Sequence, residues 1–254
     1  MNNTTHVKKI TALALLIFSY SLAFPATAAN GESSFMTVQQ STTNTLSARQ
    51  KAIVLIASLM ATSSMDSLNT ALEQGLNAGL TVNESKEILV QLYAYTGFPR
   101  SLNALNELMK VVAARKQRGI HDIQGQEPVS KIPTGEELLR VGTANQTKIS
   151  GAPVQGPLFE FAPVINQFLQ THLFGDIFAR DNLDWPSREL ATVGALAATP
   201  GVEAQLLSHL RASLRVGLSG DQLQQVVNVL REQGEIDAAA RAEHALQQAL
   251  ATSK

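Results

Sequence analysis

One glutamate and one histidine stand among apolar residues in the segment that begins at position 188, RELATVGALAATPGVEAQLLSHLRASLRVGLS. Glu189 lies near the start of the first apolar stretch, and His209 lies within the second. A carboxylate beside an imidazole fixes the imidazole tautomer, and the two groups together form an acid–base couple. Glu189 and His209 are therefore the candidate catalytic residues.

The spacing of the two residues is compatible with a pair of antiparallel helices joined at Thr-Pro-Gly. Glu189 lies about 11 residues before the centre of that turn and His209 about 9 after it, so at a rise of about 1.5 Å per residue they are nearly level. The alternative is that Glu189 is a first-turn residue favoured by the helix dipole and His209 a half-buried polar residue. The spacing leaves both interpretations open.

Three further side chains are candidates for binding a substrate. Arg188 and Arg211 flank the pair, and a guanidinium can hold a carboxylate through two hydrogen bonds. Tyr95 precedes Gly97 and Pro99, and its hydroxyl is a candidate substrate contact. The competing roles are solvated helix-face charges for the arginines and helix-end packing for the tyrosine.

A second polar run surrounds the sequence HLFGDIFARDNLDW. His172, Asp176 and Arg180 recur at a spacing of four, which predicts that they share one helical face. A metal site would need more converging histidines, and His121 and His244 stand far from this run. The sequence therefore predicts neither a metal site nor a cofactor.

Composition excludes several classes of function. The chain of 254 residues has no cysteine, which excludes disulfides, thiolate metal sites and a thiol peroxidase cycle. Its formal net charge is −1, without the clustered lysines and arginines of a nucleic-acid surface. A small organic ligand or a protein partner is compatible with this composition.

The N-terminus predicts export. Residues 1–28 combine a basic start, an apolar run and small residues at Ala26 and Ala28, as in a secretory signal peptide cleaved after Ala28. The apolar run of about 15 residues is shorter than the roughly 20 that span a bilayer, so no membrane span is predicted in the mature chain. Residues 29–45 are polar and aperiodic, which predicts a flexible arm. The predicted location is periplasmic or secreted.

The rest of the chain predicts an all-α fold. Apolar residues at three- and four-residue spacing indicate helices over 46–119 and again over 158–254. Thr81 followed by Glu84 predicts a capping box at the start of the third helix. Residues 120–157 are rich in proline and glycine and read as a connector between the two helical parts.

The two helical parts are repeats of each other. A shift of 138 residues places Gly79 on Gly217 and Thr81 on Ser219, and a shift of 137 places AIVLIASLMATS on ELATVGALAATP. A unit of two helices, a glycine and a capped third helix therefore occurs twice.

These motifs carry a family resemblance. RELATVGALAA, SHLRASLRVGLS, HLFGDIFARDNLDW and YAYTGFPRSLNAL together resemble the carboxymuconolactone decarboxylase family, which also contains the alkyl hydroperoxidase D-like proteins. The resemblance implies two tandem helical repeats with the alkyl hydroperoxidase D-like fold. It also implies rings of three or six single units, and hence a homotrimer of this doubled chain.

The resemblance also informs the chemistry. The peroxidase branch uses a glutamate, two cysteines and a histidine; Glu189 and His209 match the outer two, while Val202 and Gln205 stand at the cysteine positions. In the first half the four positions are occupied by Ala52, Ser64, Ser67 and Ala71. The resemblance therefore implies a cofactor-free lyase or isomerase acting on a small organic acid or lactone. The alternative is a non-catalytic exported scaffold or small-ligand-binding protein.

Overall fold

The computed structural model describes residues 44–251, and within this range every regular element is a helix. The first half contains α1 (Ala48–Thr62), α2 (Met65–Asn77), α3 (Val82–Gln91), α4 (Tyr93–Thr96) and α5 (Phe98–Gln117). The middle contains α6 (Gly135–Ser150), α7 (Pro157–Phe161), α8 (Pro163–Phe168) and a π-helix (Leu169–Ile177). The second half contains α9 (Trp185–Ala198), α10 (Glu203–Arg215), α11 (Gly220–Glu232) and α12 (Ile236–Ala251). The predicted all-α class is confirmed.

The internal repeat is visible in the helix packing. In the first half α1 packs on α2, and α5 packs on both α2 and α3. In the second half α9 packs on α10, and α12 packs on both α10 and α11. The helices α1, α2, α3 and α5 thus have the equivalents α9, α10, α11 and α12, while the short α4 has none, and the predicted tandem arrangement is confirmed.

The two repeats meet along α1 and α9, which form the most extensive helix contact in the described part of the chain. All residues of α9 from Ser187 to Ala198 are buried, as are Ile53–Ala61 of α1. A Cβ atom at Gly194 would lie 2.6 Å from the carbonyl oxygen of Val54, so glycine is what allows the two backbones to approach. Both helices are consequently central and are packed on all sides over these ranges.

Equivalent caps start the third helix of each repeat. The Thr81 hydroxyl accepts from the backbone N–H of Glu84 while the Glu84 carboxylate accepts from the N–H of Thr81, as the sequence predicts. Ser219 and Gln222 form the same reciprocal pair at the start of α11. Each box satisfies N–H groups that a helix start leaves free.

The connector is more ordered than its composition indicates. Its first part binds the start of α3: the carbonyls of Ile123 and Gln124 accept from the N–H groups of Val82 and Asn83. Its second part is the 16-residue helix α6, which packs on the π-helix. Gly142 stands at that contact, where a Cβ would lie 1.7 Å from the Gln170 carbonyl oxygen. A glycine at the packed position weakens the apolar periodicity, so this helix is hard to predict from the sequence.

Two predictions concern residues outside this range. The predicted signal peptide, residues 1–28, lies entirely outside the described residues, and so does most of the predicted arm at 29–45. None of the helices between residues 44 and 251 is both long enough and apolar enough to span a membrane.

Candidate active site

Helices α9 and α10 bring the two candidate catalytic residues into contact. The Oε2 atom of Glu189 lies 2.8 Å from Nδ1 of His209. The carboxylate side chain is 0% exposed, whereas the imidazole is 15% exposed. An ionised carboxylate here accepts a hydrogen bond from Nδ1–H, so the ring presents Nε2 for proton exchange. The geometry therefore matches an oriented acid–base couple.

Tyr95 completes this part of the site from the other repeat. Its ring meets the His209 ring edge to face, with centroids 5.3 Å apart. Burial raises the pKa of Tyr95, and the negative charge of Glu189 raises it further, so the phenol stays protonated. Oε1 of Glu189 is buried without a hydrogen-bond partner among the described residues, and the Tyr95 hydroxyl is buried with only the Thr192 side chain near enough to pair with it. Unpartnered buried polar atoms are rare and mark a place where a ligand or water can bind.

A buried glutamate of the first repeat holds the start of α9. Glu87 of α3 is 2% exposed and accepts from Nη2 of Arg188 at 2.8 Å. It also accepts from Nε of Arg180 at 2.9 Å and from the side chain of Asn182 at 3.1 Å. One carboxylate thus joins α3, the segment before α9 and α9 itself.

Gln91, one helical turn beyond Glu87, extends the contact between repeats. Its side-chain amide donates to the Thr192 hydroxyl and to the Arg188 carbonyl, each at 2.9 Å, and its oxygen accepts from Nη1 of Arg188 at 3.0 Å. All three residues are buried. These polar groups are therefore paired with one another, as most buried polar groups are, whereas Nε of Arg188 is buried without a partner among the described residues.

The two arginines predicted to bind substrate lie in different surroundings. Arg188 is 0% exposed, and its outer nitrogens bind Glu87, Gln91 and the Arg180 carbonyl. Burial lowers the pKa of Arg188, while the charge of Glu87 acts in the opposite direction. The nitrogens that a substrate would need are occupied, so Arg188 has a structural role here in place of the predicted substrate contact.

Arg211 lies apart from the acid–base couple. It follows His209 by two positions, and two residues of an α-helix are rotated by about 200°. Its buried Nε has no hydrogen-bond partner within the described residues. The structure does not bring Arg211 together with Glu189, in contrast to the arrangement that the sequence indicates.

The sequence interpretation missed Glu87 and Gln91. These two residues and Tyr95 recur at a spacing of four, which places all three on one ridge of the α3–α4 segment. This spacing of four was the only indication in the sequence that these residues lie together. The same spacing is typical of a solvated helix face, and only the packing of α3 against α9 shows that this ridge is buried.

Comparison with known proteins agrees with the repeat. The sequence profile of the carboxymuconolactone decarboxylase family matches residues 32–109 and again residues 163–248. The chain belongs to that family. No match is found among curated proteins.

In this member of the carboxymuconolactone decarboxylase family the two repeats contribute different residues. The second repeat supplies Glu189 and His209, and the first supplies Glu87, Gln91 and Tyr95. The equivalents of Glu87 and Tyr95 are Gln225 and Gln233 under the shift of 138 residues. The Gln225 side chain accepts from the N–H of Leu46 and donates to the Asn44 carbonyl. In the second repeat, this position therefore holds the segment before α1 and does not contact the acid–base couple.

The equivalent place in the first repeat is a cavity of about 210 Å³. Ala71 stands at the position of His209 and Leu55 at that of Thr192, and Gln233 lines the same space. Because alanine is much smaller than histidine, the side chains of the first repeat do not fill this space.

The polar run before α9 divides into two parts. His172 and Asp176 bind each other at 2.7 Å on the π-helix, consistent with their predicted shared face. Arg180 instead follows the end of the π-helix and turns to Glu87. No group of three His, Asp or Glu side chains suited to a metal ion occurs in the part of the chain that the structure describes.

Proposed function

We propose that this protein is a cofactor-free lyase or isomerase of the carboxymuconolactone decarboxylase family that acts on a small organic acid or lactone. The contact between Glu189 and His209 carries the proposal, because it joins a fully buried carboxylate to a partly exposed imidazole at 2.8 Å. Such a pair can transfer a proton without a metal or a redox group.

The residues have distinct roles in the proposed reaction. Glu189 holds the Nδ1–H of His209, so that Nε2 exchanges a proton with the substrate. In a decarboxylation the bond to the carboxyl carbon breaks, CO2 leaves with that carbon, and the electron pair remains on the substrate as an enolate. Protonated His209 then donates its Nε2 proton to the carbon, and the Tyr95 hydroxyl donates a hydrogen bond to the developing oxyanion.

The alternative is a non-catalytic scaffold or small-ligand-binding protein. One observation favours it: neither Glu189 nor His209 lines the cavities of about 530, 410 and 210 Å³ formed by other described residues. The couple reaches solvent through the His209 side chain, which is 15% exposed. A ligand would have to bind there.

Activity and binding distinguish the two functions. Wild-type protein and His209→Ala are incubated with a panel of β-keto acids, carboxylated lactones and simple lactones, and substrate loss is followed by proton NMR. Turnover that is lost in both His209→Ala and Glu189→Gln supports the enzyme. Ala71→Ser, at the equivalent position of the first repeat, is the matched control and retains wild-type turnover.

Other outcomes have defined meanings. Thermal stabilisation by a member of the panel without any turnover supports the ligand-binding alternative. Turnover that survives in His209→Ala contradicts the assigned acid–base couple. A separate NMR measurement tests the geometry: a protected Nδ1 proton of His209 is expected in the wild type and is lost in Glu189→Gln.

A further inference from the structure

One cavity is lined in part by Arg180, which donates to the buried carboxylate of Glu87. Its volume is about 410 Å³, within the range of roughly 300–1,000 Å³ that small-molecule sites occupy. Residues of α6, of the segment after the π-helix and of the first turn of α9 line it. The side chains that decide its chemistry are Phe178, Arg180, Asp181, Asp184 and Trp185.

The ring of Trp185 is the aromatic wall of this cavity, and it is fixed in place. The indole N–H of Trp185 donates to the Phe178 carbonyl at 3.0 Å. The ammonium of Lys148 lies 4.9 Å from the Trp185 ring centroid, which restrains the ring by a cation–π contact. Phe178 is only 1% exposed and packs against Phe174, with ring centroids 5.3 Å apart, so Trp185 supplies the accessible ring surface. A flat apolar group would meet a preformed surface here, which reduces the entropy lost on binding.

Arg180 supplies free hydrogen-bond donors to the same cavity. Its side chain is 33% exposed, and its Nε donates to both oxygens of Glu87 at 2.9 and 3.0 Å. Neither Nη atom has a partner among residues 44–251, so both remain available. The Glu87 contact fixes one edge of the planar guanidinium and leaves the donors at its end for an anion.

The two aspartates of the cavity are already engaged. Asp184 caps α9, accepting from the N–H and the hydroxyl of Ser187. Asp181 accepts from the N–H groups of Val129 and Ser130 and from the Ser130 hydroxyl. These hydrogen bonds, led by that of the Ser130 hydroxyl, lower the pKa of Asp181. Because an ionised carboxylate only accepts hydrogen bonds, the free donors that face a ligand belong to Arg180.

We propose that this cavity binds a monocarboxylate with a flat apolar body. The carboxylate accepts from the Nη atoms of Arg180, and the body lies against the ring of Trp185. This site is separate from the Glu189–His209 couple and does not depend on the activity proposed for it.

The tryptophan makes the proposal directly testable, because Trp185 is the sole tryptophan of the chain. Benzoate is titrated into the full-length protein while Trp185 fluorescence is recorded, with benzamide and benzylamine as neutral and cationic probes of the same shape. The expected result is a saturable change with benzoate alone. Benzamide binding as tightly as benzoate, benzylamine binding in its place, or no saturable change with benzoate would each overturn the proposal.

Variants locate the binding. Arg180→Gln is expected to weaken benzoate binding at least tenfold, while Arg231→Gln, which removes an exposed arginine paired with Glu243, leaves it unchanged. Val141→Phe narrows the cavity from α6 without touching Glu87, and it should weaken binding even if Arg180→Gln folds poorly. His209→Ala binds benzoate like the wild type. Unchanged binding in Val141→Phe would contradict the assigned location.

Discussion

At the scale of single residues, Glu87 is the acceptor that Arg180, Asn182 and Arg188 share. It is a buried carboxylate that receives two guanidinium groups and an amide from the segment around the start of α9. A buried ion pair adds little net stability over an apolar pair, but removal of one partner leaves an uncompensated buried charge. The importance of Glu87 therefore lies in what its loss would expose.

Substitution of Glu87 tests this role. Glu87→Leu is expected to lower the free energy of unfolding by about 3–5 kcal/mol, because Arg188 would then be buried without a counterion. Urea denaturation followed by circular dichroism measures the effect. Glu243→Leu, which breaks the exposed pair with Arg231, should cost only about 0–1 kcal/mol.

A compensating variant separates charge from volume. Glu87→Leu combined with Arg188→Leu removes both charges and is expected to recover part of the lost stability. If the free energy of unfolding of Glu87→Leu alone lay within about 1 kcal/mol of that of the wild type, the pair of Glu87 and Arg188 would not have the stabilising role described here.

The residue types also exclude one reaction of the family's peroxidase branch. Neither repeat has a sulfur nucleophile, because the chain contains no cysteine. We expect no reduction of an alkyl hydroperoxide in the presence of a dithiol reductant. Peroxide consumption above that of a boiled sample, measured by a colorimetric assay, would show that the expectation is wrong.

At the scale of elements, the cap of α3 gives a pH-dependent contribution. Burial alone would raise the pKa of Glu84, but hydrogen bonds from Thr81 and Arg49 outweigh it and lower that pKa below its ordinary value of 4.5. A lowered carboxyl pKa stabilises the folded state above the ordinary value, and this stabilisation is lost as the pH falls through the lowered pKa. The cap should therefore weaken in acid.

The equivalent cap of α11 provides the control. Glu84→Ala is expected to cost about 1 kcal/mol or less at pH 7, with the cost declining as the pH falls below about 4. Gln222→Ala removes the same position of the other capping box, where no ionisable group is present, so its cost should not follow this pH course. Urea denaturation of both variants at several pH values measures the difference, and parallel curves would contradict the assignment.

The contact between α1 and α9 gives a second prediction at this scale. Gly194→Ala places a methyl group 2.6 Å from the Val54 carbonyl oxygen, so the helices must separate, at a cost of about 1–3 kcal/mol. Gly75→Ala meets only the ends of the Leu80 and Ile56 side chains, at 2.9 and 3.0 Å. These ends can rotate, and we expect the thermal midpoint of Gly75→Ala to stay near that of the wild type while that of Gly194→Ala falls.

Elements set by local pattern were predictable from the sequence, whereas those set by distant contacts were not. The helix starting after Thr81 carries its own capping signal, and Glu189 and His209 are linked by one turn. Helix α6 was missed because Gly142 serves a contact with the π-helix. The buried role of Arg188 depends on Glu87, which lies 101 residues away in the chain. No local pattern records such a pairing.

At the scale of the whole molecule, exposed apolar residues indicate further assembly. Large apolar side chains face solvent on α5 and on α7–α8; they are Phe98, Leu102, Met109, Leu158, Phe161, Val164, Ile165 and Phe168. Exposed large apolar side chains grouped on one helix in this way are typical of protein interfaces. We expect a homotrimer, which the ring of six units implied by the family resemblance would require.

Light scattering coupled to size exclusion tests the assembly. The wild type should elute with three times the mass of one chain, and Phe98→Glu combined with Leu102→Glu should shift the protein to smaller species. Phe161→Glu tests the α7–α8 surface in the same way. A stable monomer of the wild type at micromolar concentration would contradict the trimer.

Because the two repeats that form the site belong to one chain, the site does not come apart when the protein is diluted. In a protein of single repeats, the contacts of Glu87 with Arg188 and of Tyr95 with His209 would form between two chains and would be lost at low concentration. The fused chain supplies each partner to the other at an effective concentration in the millimolar range or above, whatever the amount of protein. Because this contact forms within one chain, the first repeat supports the couple of the second without an acid–base couple of its own, and alanines stand at its equivalent positions, Ala52 and Ala71.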